Sequence, residues 1–325
     1  MNRLVLVDTL NFFHRAFHAY PPQLTTLQGE PINAVYGFAT MLFSLAAELA
    51  PTHLAVAYES EKEPTFRALE FPAYKATRVP LPLEEQVRFD SQLPLLGEFI
   101  GAARITSLQA EGFEADDLIG TAVRQVTGEL GNQVTRKKDP ATQLSSNLVT
   151  EVIVASNDRD LMQLIGPRVR FYLPAVGSKQ KAKLYTENDF FEEYGFQPPA
   201  MVDYKALRGD PSDNIPGVRG IGEKTASELV KKYGTVEEVY KHILEIRPVV
   251  AQKLADGKKD AELSRKLAKI VTDAPVEIGL ETLRFSGFGQ PAVRELFAKW
   301  GFKSLMKKMA GEEPPPEDRD QLKFI

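Results

Sequence analysis

Three stretches of this sequence share one pattern, and together they restrict the fold more than anything else in it. Residues 3–8 read RLVLVD, 53–59 read HLAVAYE and 151–160 read EVIVASNDRD; each is a short apolar run, rich in β-branched residues, that ends on or beside a carboxylate. Such runs are the signature of strands buried on both faces. Between the first two lies NAVYGFATMLFSLAAEL (33–49), with helical spacing, and a further helix is expected from about Phe113 to Val126, ahead of the third strand. Strands alternating with helices predict an α/β fold, a mostly parallel central sheet flanked by helices. Ligands of such sheets collect at the carboxyl ends of the strands. Asp8, Glu59, Asp158 and Asp160 are therefore expected to converge there.

A chain of 325 residues, 43% hydrophobic, can build one large or two modest cores. Its 40 basic and 44 acidic side chains leave a net charge of −4, so a surface for polyanions must be local. The absence of cysteine excludes disulfides, thiolate metal sites and cysteine nucleophiles, and four histidines leave little room for a histidine-rich zinc centre. The apolar start MNRLVLVDTLNFF is broken by Asp8 too early for a signal peptide, and no stretch approaches the roughly 20 residues of a membrane span. These features fit a cytoplasmic protein. No internal repeat is evident. Residues 127–150 lack periodicity and read as a surface loop, while GEEPPPEDRDQLKFI at the end reads as a linker or tail.

EGFEADDLIG (111–120) crowds Glu114, Asp116 and Asp117 into four positions. Like charges so close repel one another and resist burial, so something positive is expected among them. Taken alone, the cluster also suits the first turn of a helix, where the macrodipole favours acids. The wider inventory of Asp8, Glu59, Glu114, Asp116, Asp117, Asp158, Asp160, Asp210 and Asp213 supplies an all-oxygen cage for hard divalent cations such as Mg²⁺ or Mn²⁺. Two such ions can activate water and stabilise a leaving oxygen in phosphodiester hydrolysis.

Two basic stretches complement these acids. In ALRGDPSDNIPGVRGIGEKTASELVKKYGTVEEVYKH (206–242) the turn formed around Gly217, Gly220 and Gly222 opens into an amphipathic helix bearing Lys224. Glycines let backbone N–H groups approach a phosphate closely at the positive end of a helix. This is a helix–hairpin–helix signature, which reads DNA backbone and not base sequence. In EPTFRALEFPAYKATRVPLP (63–82), Arg67, Lys75 and Arg78 interleave with Phe66, Phe71 and Tyr74, a combination that holds phosphates and stacks unpaired bases. Its prolines oppose one long helix.

With these residues in place, the chain resembles the 5′-nuclease and flap endonuclease family, most closely the N-terminal 5′→3′ exonuclease domains of bacterial DNA polymerase I. The likeness runs from about residue 3 to about 275 and is carried in order by LVDTLNFFHRAFHA, PTFR with YKATRVPLP, EGFEADDLIG, SNDRDLMQL and RGDPSDNIPGVRGIGEKTA. It implies a PIN-like, Rossmann-like resolvase core (1–185) with a strand-threading arch at about 60–100, a helical DNA-binding subdomain with the helix–hairpin–helix turn (186–310), and a linker or tail (311–325). The nine acids fall on its metal positions, save that Glu59 stands where the family usually has aspartate. Asp8, Asp116, Asp158, Lys75 and Arg78 fall on catalytic positions, and Arg15, Arg67, Tyr74, Gly217, Gly220, Gly222 and Lys224 join the DNA contacts.

The resemblance further implies two Mg²⁺ ions, replaceable by Mn²⁺, and a monovalent cation at the glycine turn. The substrate would be DNA with a 5′ flap, nick or single-strand to duplex junction, handled by a monomer in replication and repair and partnered by a DNA polymerase domain or protein. A stand-alone nuclease and the front of a polymerase both fit the chain. The competing reading is a DNA-binding module whose metals are disorganised by Glu59. Retention of eight of the nine expected acids, with Lys75 and Arg78, favours the enzyme. A small ribonuclease on a related sheet would have no use for residues 206–242.

Overall fold

The computed structural model describes residues 2–60, 63–128, 149–175 and 181–311. Nearly all of the expected loop at 127–150 and of the tail at 311–325 lies outside these. Strand β1 (Arg3–Asp8) lies at the centre of a sheet ordered β3-β2-β1-β4-β5-β6. The parallel members are β2 (His53–Ala57), β3 (Thr106–Leu108), β4 (Glu151–Ala155) and β5 (Val169–Leu173), while β6 (Lys183–Tyr185) runs antiparallel at the edge. From β1 the chain winds outward through β2 and β3, then returns to β1's other side with β4. The switch point of the sheet therefore falls between β1 and β4, at the ends that carry Asp8 and Asp158.

The period-two geometry of a strand divides the core into two faces. Leu4, Leu6, Val152 and Val154 face one cluster, together with α6 (Ala115–Thr127). Val5, Val7, Ile153 and Ala155 face the other, with α1 (Thr9–Ala19), α2 (Asn33–Leu49) and α5 (Leu93–Ala102). The prolines at 72, 80 and 82 interrupt the expected arch, which becomes two short helices, α3 (Phe66–Glu70) and α4 (Leu83–Asp90), joined by an irregular segment.

After β6 the described chain is helical: α7 (Glu187–Tyr194), α8 (Met201–Arg208), α9 (Glu223–Tyr233), α10 (Val236–Lys241), α11 (Pro248–Asp256) and α12 (Lys258–Ala268) pack on the α6 face. The remainder departs from the expected boundary at 310. Leu54 donates its N–H to the Leu283 carbonyl at 2.9 Å, and α13 (Pro291–Trp300) and α14 (Lys303–Met309) return to the opposite face. There Phe297 stacks on Phe99 at 5.5 Å and Trp300 is buried. These last helices belong to the α/β core. No described helix is long and apolar enough to cross a membrane.

Candidate active site

Asp8 closes β1 and caps α1, accepting the Asn11 N–H at 3.3 Å. Ser156, just after β4, donates its hydroxyl to Asp8 at 2.8 Å and accepts the Asp158 N–H at 2.9 Å. Asn11 in turn accepts from the backbone and side-chain nitrogens of Asn157 at 2.9 and 2.8 Å. The two strand ends are thus fastened together by Ser156 and Asn11, residues the sequence does not single out because small polar side chains carry no spacing signature. Asp116 enters from the first turn of α6. Among the described residues no basic side chain lies within ion-pair distance of Asp8, Asp116 or Asp158. Burial, with repulsion from Asp158 and Glu59, pushes Asp8 up to about 7 even though Ser156 and Asn11 favour its charge. Burial and repulsion from Asp158 and Asp8 push Asp116 upward as well.

The three acids of 114–117 take separate roles. Glu114 accepts from Lys75 Nζ at 2.8 Å and lies 3.2 Å from the Tyr74 hydroxyl. Asp116 joins the floor. Asp117 turns back: expected as a metal ligand, it is instead fully buried and accepts the Arg67 guanidinium bidentately at 2.6 and 2.7 Å. Its oxygens also accept the N–H groups of Glu114 and Val271 at 3.2 and 2.9 Å, leaving no free ligand position. Arg67 turns inward with it. Expected to hold DNA, it is 2% exposed and spends its other donors on the carbonyls of Leu267 and Lys269.

The rest of the arch lies against the second acid group. Lys75, at φ 57°, donates its backbone N–H to the Asp213 carbonyl, and its ammonium stands 3.9 Å from Glu59, which is itself half-exposed beyond β2. Burial and Glu114 raise the Glu59 carboxyl above its ordinary range against the pull of Lys75. Arg78, half-exposed, bonds Asp213 at 2.7 Å. Tyr74 does not offer its face for stacking as expected: its ring is buried with Val202, Ile215 and Leu267, and its single O–H serves either Glu114 or Asp213, at 3.2 and 3.3 Å. Asp160 and Asp210 meet on Lys205, a buried lysine of α8 that the sequence reading passed over. Burial opposes charge on Asp210, but Lys205 and Ser212 outweigh it and hold the group down at about 2. Asp160 is instead pushed up to about 7 by burial and Asp158. Arg15, half-buried on α1, donates to Asn157 beside the floor.

The glycine turn separates into inner and outer parts. Gly217, at φ 61°, is buried and donates its N–H to Ser264 Oγ at 2.9 Å, so its amide is not offered to DNA as expected. Gly220, Gly222 and Lys224 are exposed. Gly220, at φ 82°, accepts Lys253 Nζ on its carbonyl at 3.0 Å, and Gly222 caps α9 in ordinary extended backbone with open space where a Cβ would stand.

Because burial and neighbouring carboxylates push Asp8 and Asp160 from the ordinary 3.8 up to about 7, the metal-free fold holds protons that the unfolded chain has lost. Stability should therefore be full below about 4 and decline as pH rises through about 7. Thermal melts in chelator should show a lower Tm at pH 8 than at pH 5.5, and Mg²⁺ should raise Tm more at pH 8. A flat profile would show that these carboxyls are not forced together.

Acidic floor, basic overhang and surface glycine turn suit one class of work, the hydrolysis of nucleic-acid phosphodiesters. A family model described as the 5'-3' exonuclease N-terminal resolvase-like domain matches residues 3–195, and one for the 5'-3' exonuclease C-terminal SAM fold matches 196–290. The chain belongs to the 5'-3' exonuclease family. It is 40% identical over 321 residues to DNA polymerase I of Bacillus caldotenax, covering 98% of this chain and 33% of that protein. To DNA polymerase I of Bacillus subtilis it is 36% identical over 320 residues, again 98% of this chain and 33% of that one. The chain thus spans about a third of the curated relatives it matches. Among solved structures, the T5 D15 protein co-crystallised with metal ions superposes with a TM-score of 0.64 at 19% identity, covering 92% of this chain and 99% of that one. That likeness is one of fold.

Proposed function

We propose that this chain is a structure-specific 5′ nuclease, which engages DNA at a 5′ flap, nick or single-strand to duplex junction and hydrolyses the 5′ strand with divalent metal. The observation that carries the reading is the set Asp8, Asp116 and Asp158 at the switch point, three mutually repelling carboxylates that form no ion pair with a basic side chain among the described residues. Among the described residues no three acidic or histidine side chains stand at ligand spacing, and Asp8, Asp116 and Asp158 repel one another. Their oxygen-only chemistry fits Mg²⁺, or Mn²⁺ in its place. A divalent ion bound there would lower the pKa of water and neutralise charge at the leaving oxygen.

The protein residues supply the remainder. Asp8, Asp116 and Asp158 would hold one ion, and Asp160, Asp210 and Asp213 border a second position. Lys75 and Arg78, with flanking acids as their resting partners, would exchange these for the scissile phosphate and draw it onto the floor. Gly220, Gly222 and Lys224 would grip the duplex backbone, with any monovalent cation at this turn sharing Gly220's carbonyl with Lys253. The proteins it resembles suggest service as the front domain of a DNA polymerase, removing primers and repairing nicks.

A 5′-labelled flap duplex, a nicked duplex and a single strand, incubated in Mg²⁺, Mn²⁺ and chelator, test the proposal. Cleavage at the junction in either metal and none in chelator is expected. Equal cleavage of all three substrates would overturn structure specificity, and binding without cleavage would leave a binding module. Gly222→Val probes the turn without backbone strain. Loss of one charge-assisted contact should lower duplex affinity about tenfold, while the fold loses about 1 kcal/mol or less. Unaltered affinity by fluorescence anisotropy would remove Gly222 from the interface.

A further inference from the structure

We propose that Lys205 is the resident counter-cation of the second acid group, and that a divalent ion engages Asp160 and Asp210 only by displacing its ammonium. This rests on the reading above, that the floor holds divalent ions. Lys205 lies on α8, whose Met201, Ala206 and Leu207 are buried in the core, so its Cα is fixed relative to the site. Its side chain is only 8% exposed, and Nζ bonds Asp160 Oδ1 and, at 2.5 Å, Asp210 Oδ2. Lysine is almost never so buried unless paired.

The two halves of the floor differ in consequence. Among the described residues no basic side chain forms an ion pair with Asp8, Asp116 or Asp158, so an ion entering there displaces no side-chain cation. Asp160 and Asp210 share one buried ammonium between them, and Asp213 bonds the half-exposed Arg78. An ion entering this half must break two charge-assisted hydrogen bonds before it forms its own. Lysine suits such an exchange, since a compact charge on a flexible four-carbon stem can withdraw while the helix stays in place. Two ions would then bind with unequal affinity, and the weaker step would carry the Lys205 exchange. The plainer alternative is that Lys205 merely pins α8 to the 3₁₀ turn at Arg159–Leu164.

Mn²⁺ titrations of the full chain without DNA, followed by electron paramagnetic resonance of the free ion, separate the two. Wild type should show a tight and a weak class of site. Lys205→Met should tighten the weak class about tenfold or more, the ordinary size of one charged contact, and leave the tight class in place, whereas Lys205→Arg should keep the weak class weak. A weak class unmoved by Lys205→Met, or both classes weakened together, would overturn the proposal. A measurement on wild type guards against a variant that fails to fold. The rate of reductive methylation at Lys205, read by mass spectrometry, should rise as Mg²⁺ fills the weak class, and a constant rate through that range would equally overturn it. If wild type binds no Mn²⁺ in either class, the metal reading falls and this proposal with it; if the tight class fills normally and only the Lys205 results fail, this proposal falls alone.

Discussion

Asp116→Asn should lower the single-turnover cleavage rate of a flap duplex by about 10³-fold or more, the loss expected when a metal centre worth several kcal/mol is disabled. Duplex affinity should stay within a few-fold, because Asp116 faces the floor and the proposed grip on the backbone lies at Gly220, Gly222 and Lys224. A second effect runs the other way. Burial and repulsion from Asp158 and Asp8 already oppose charge on Asp116, so a neutral amide relieves the metal-free fold. In chelator at pH 8 the variant should melt above wild type, and Mg²⁺ should raise its Tm less. Asp117→Asn, one residue along, supplies the contrast: it weakens the Arg67 pair and should lower Tm with or without metal. Normal turnover in Asp116→Asn would defeat the metal assignment, and parallel Tm changes in the two variants would show that α6 responds to any loss of charge at its first turn.

That two adjacent acids should behave so differently marks where sequence stops being informative. The strands at 3–8, 53–57 and 151–155 and the helix at 33–49 were legible because burial imposes a repeat on the residues themselves, and the convergence of Asp8 and Asp158 follows from strand direction and the switch point. Which way Glu114 and Asp117 point depends on partners 40, 50 and 154 residues away, and no local pattern encodes it. Arg67 and Lys75 illustrate the same gap. Both are cations in an aromatic-rich, proline-broken segment, yet one is sealed beneath Asp117 and the other overhangs the floor. The helices at 291–309 look like any amphipathic pair until Leu283 joins the His53–Ala57 strand and brings them to the far side of the sheet. The site's general chemistry could be read in advance, but its support by Ser156, Asn11 and Lys205 required the fold.

Arg67→Met should destabilise the protein by about 3 to 5 kcal/mol, the cost of leaving a buried charge without its partner. Asp117 is wholly inaccessible, and the guanidinium supplies two of its hydrogen bonds at 2.6 and 2.7 Å. Removing the cation also leaves the carbonyls of Leu267 and Lys269 short of a donor. The double substitution Arg67→Met with Asp117→Leu should recover most of the loss, since replacing both ions with apolar side chains avoids the uncompensated charge, although the N–H groups of Glu114 and Val271 then lose an acceptor. Urea unfolding of the four proteins in the cycle measures the coupling directly. Duplex affinity should follow the fraction folded and no more. If Arg67→Met instead keeps wild-type stability and loses affinity with a shallower salt dependence, Arg67 meets phosphate after all, and the ion pair seen here is one it leaves when DNA arrives.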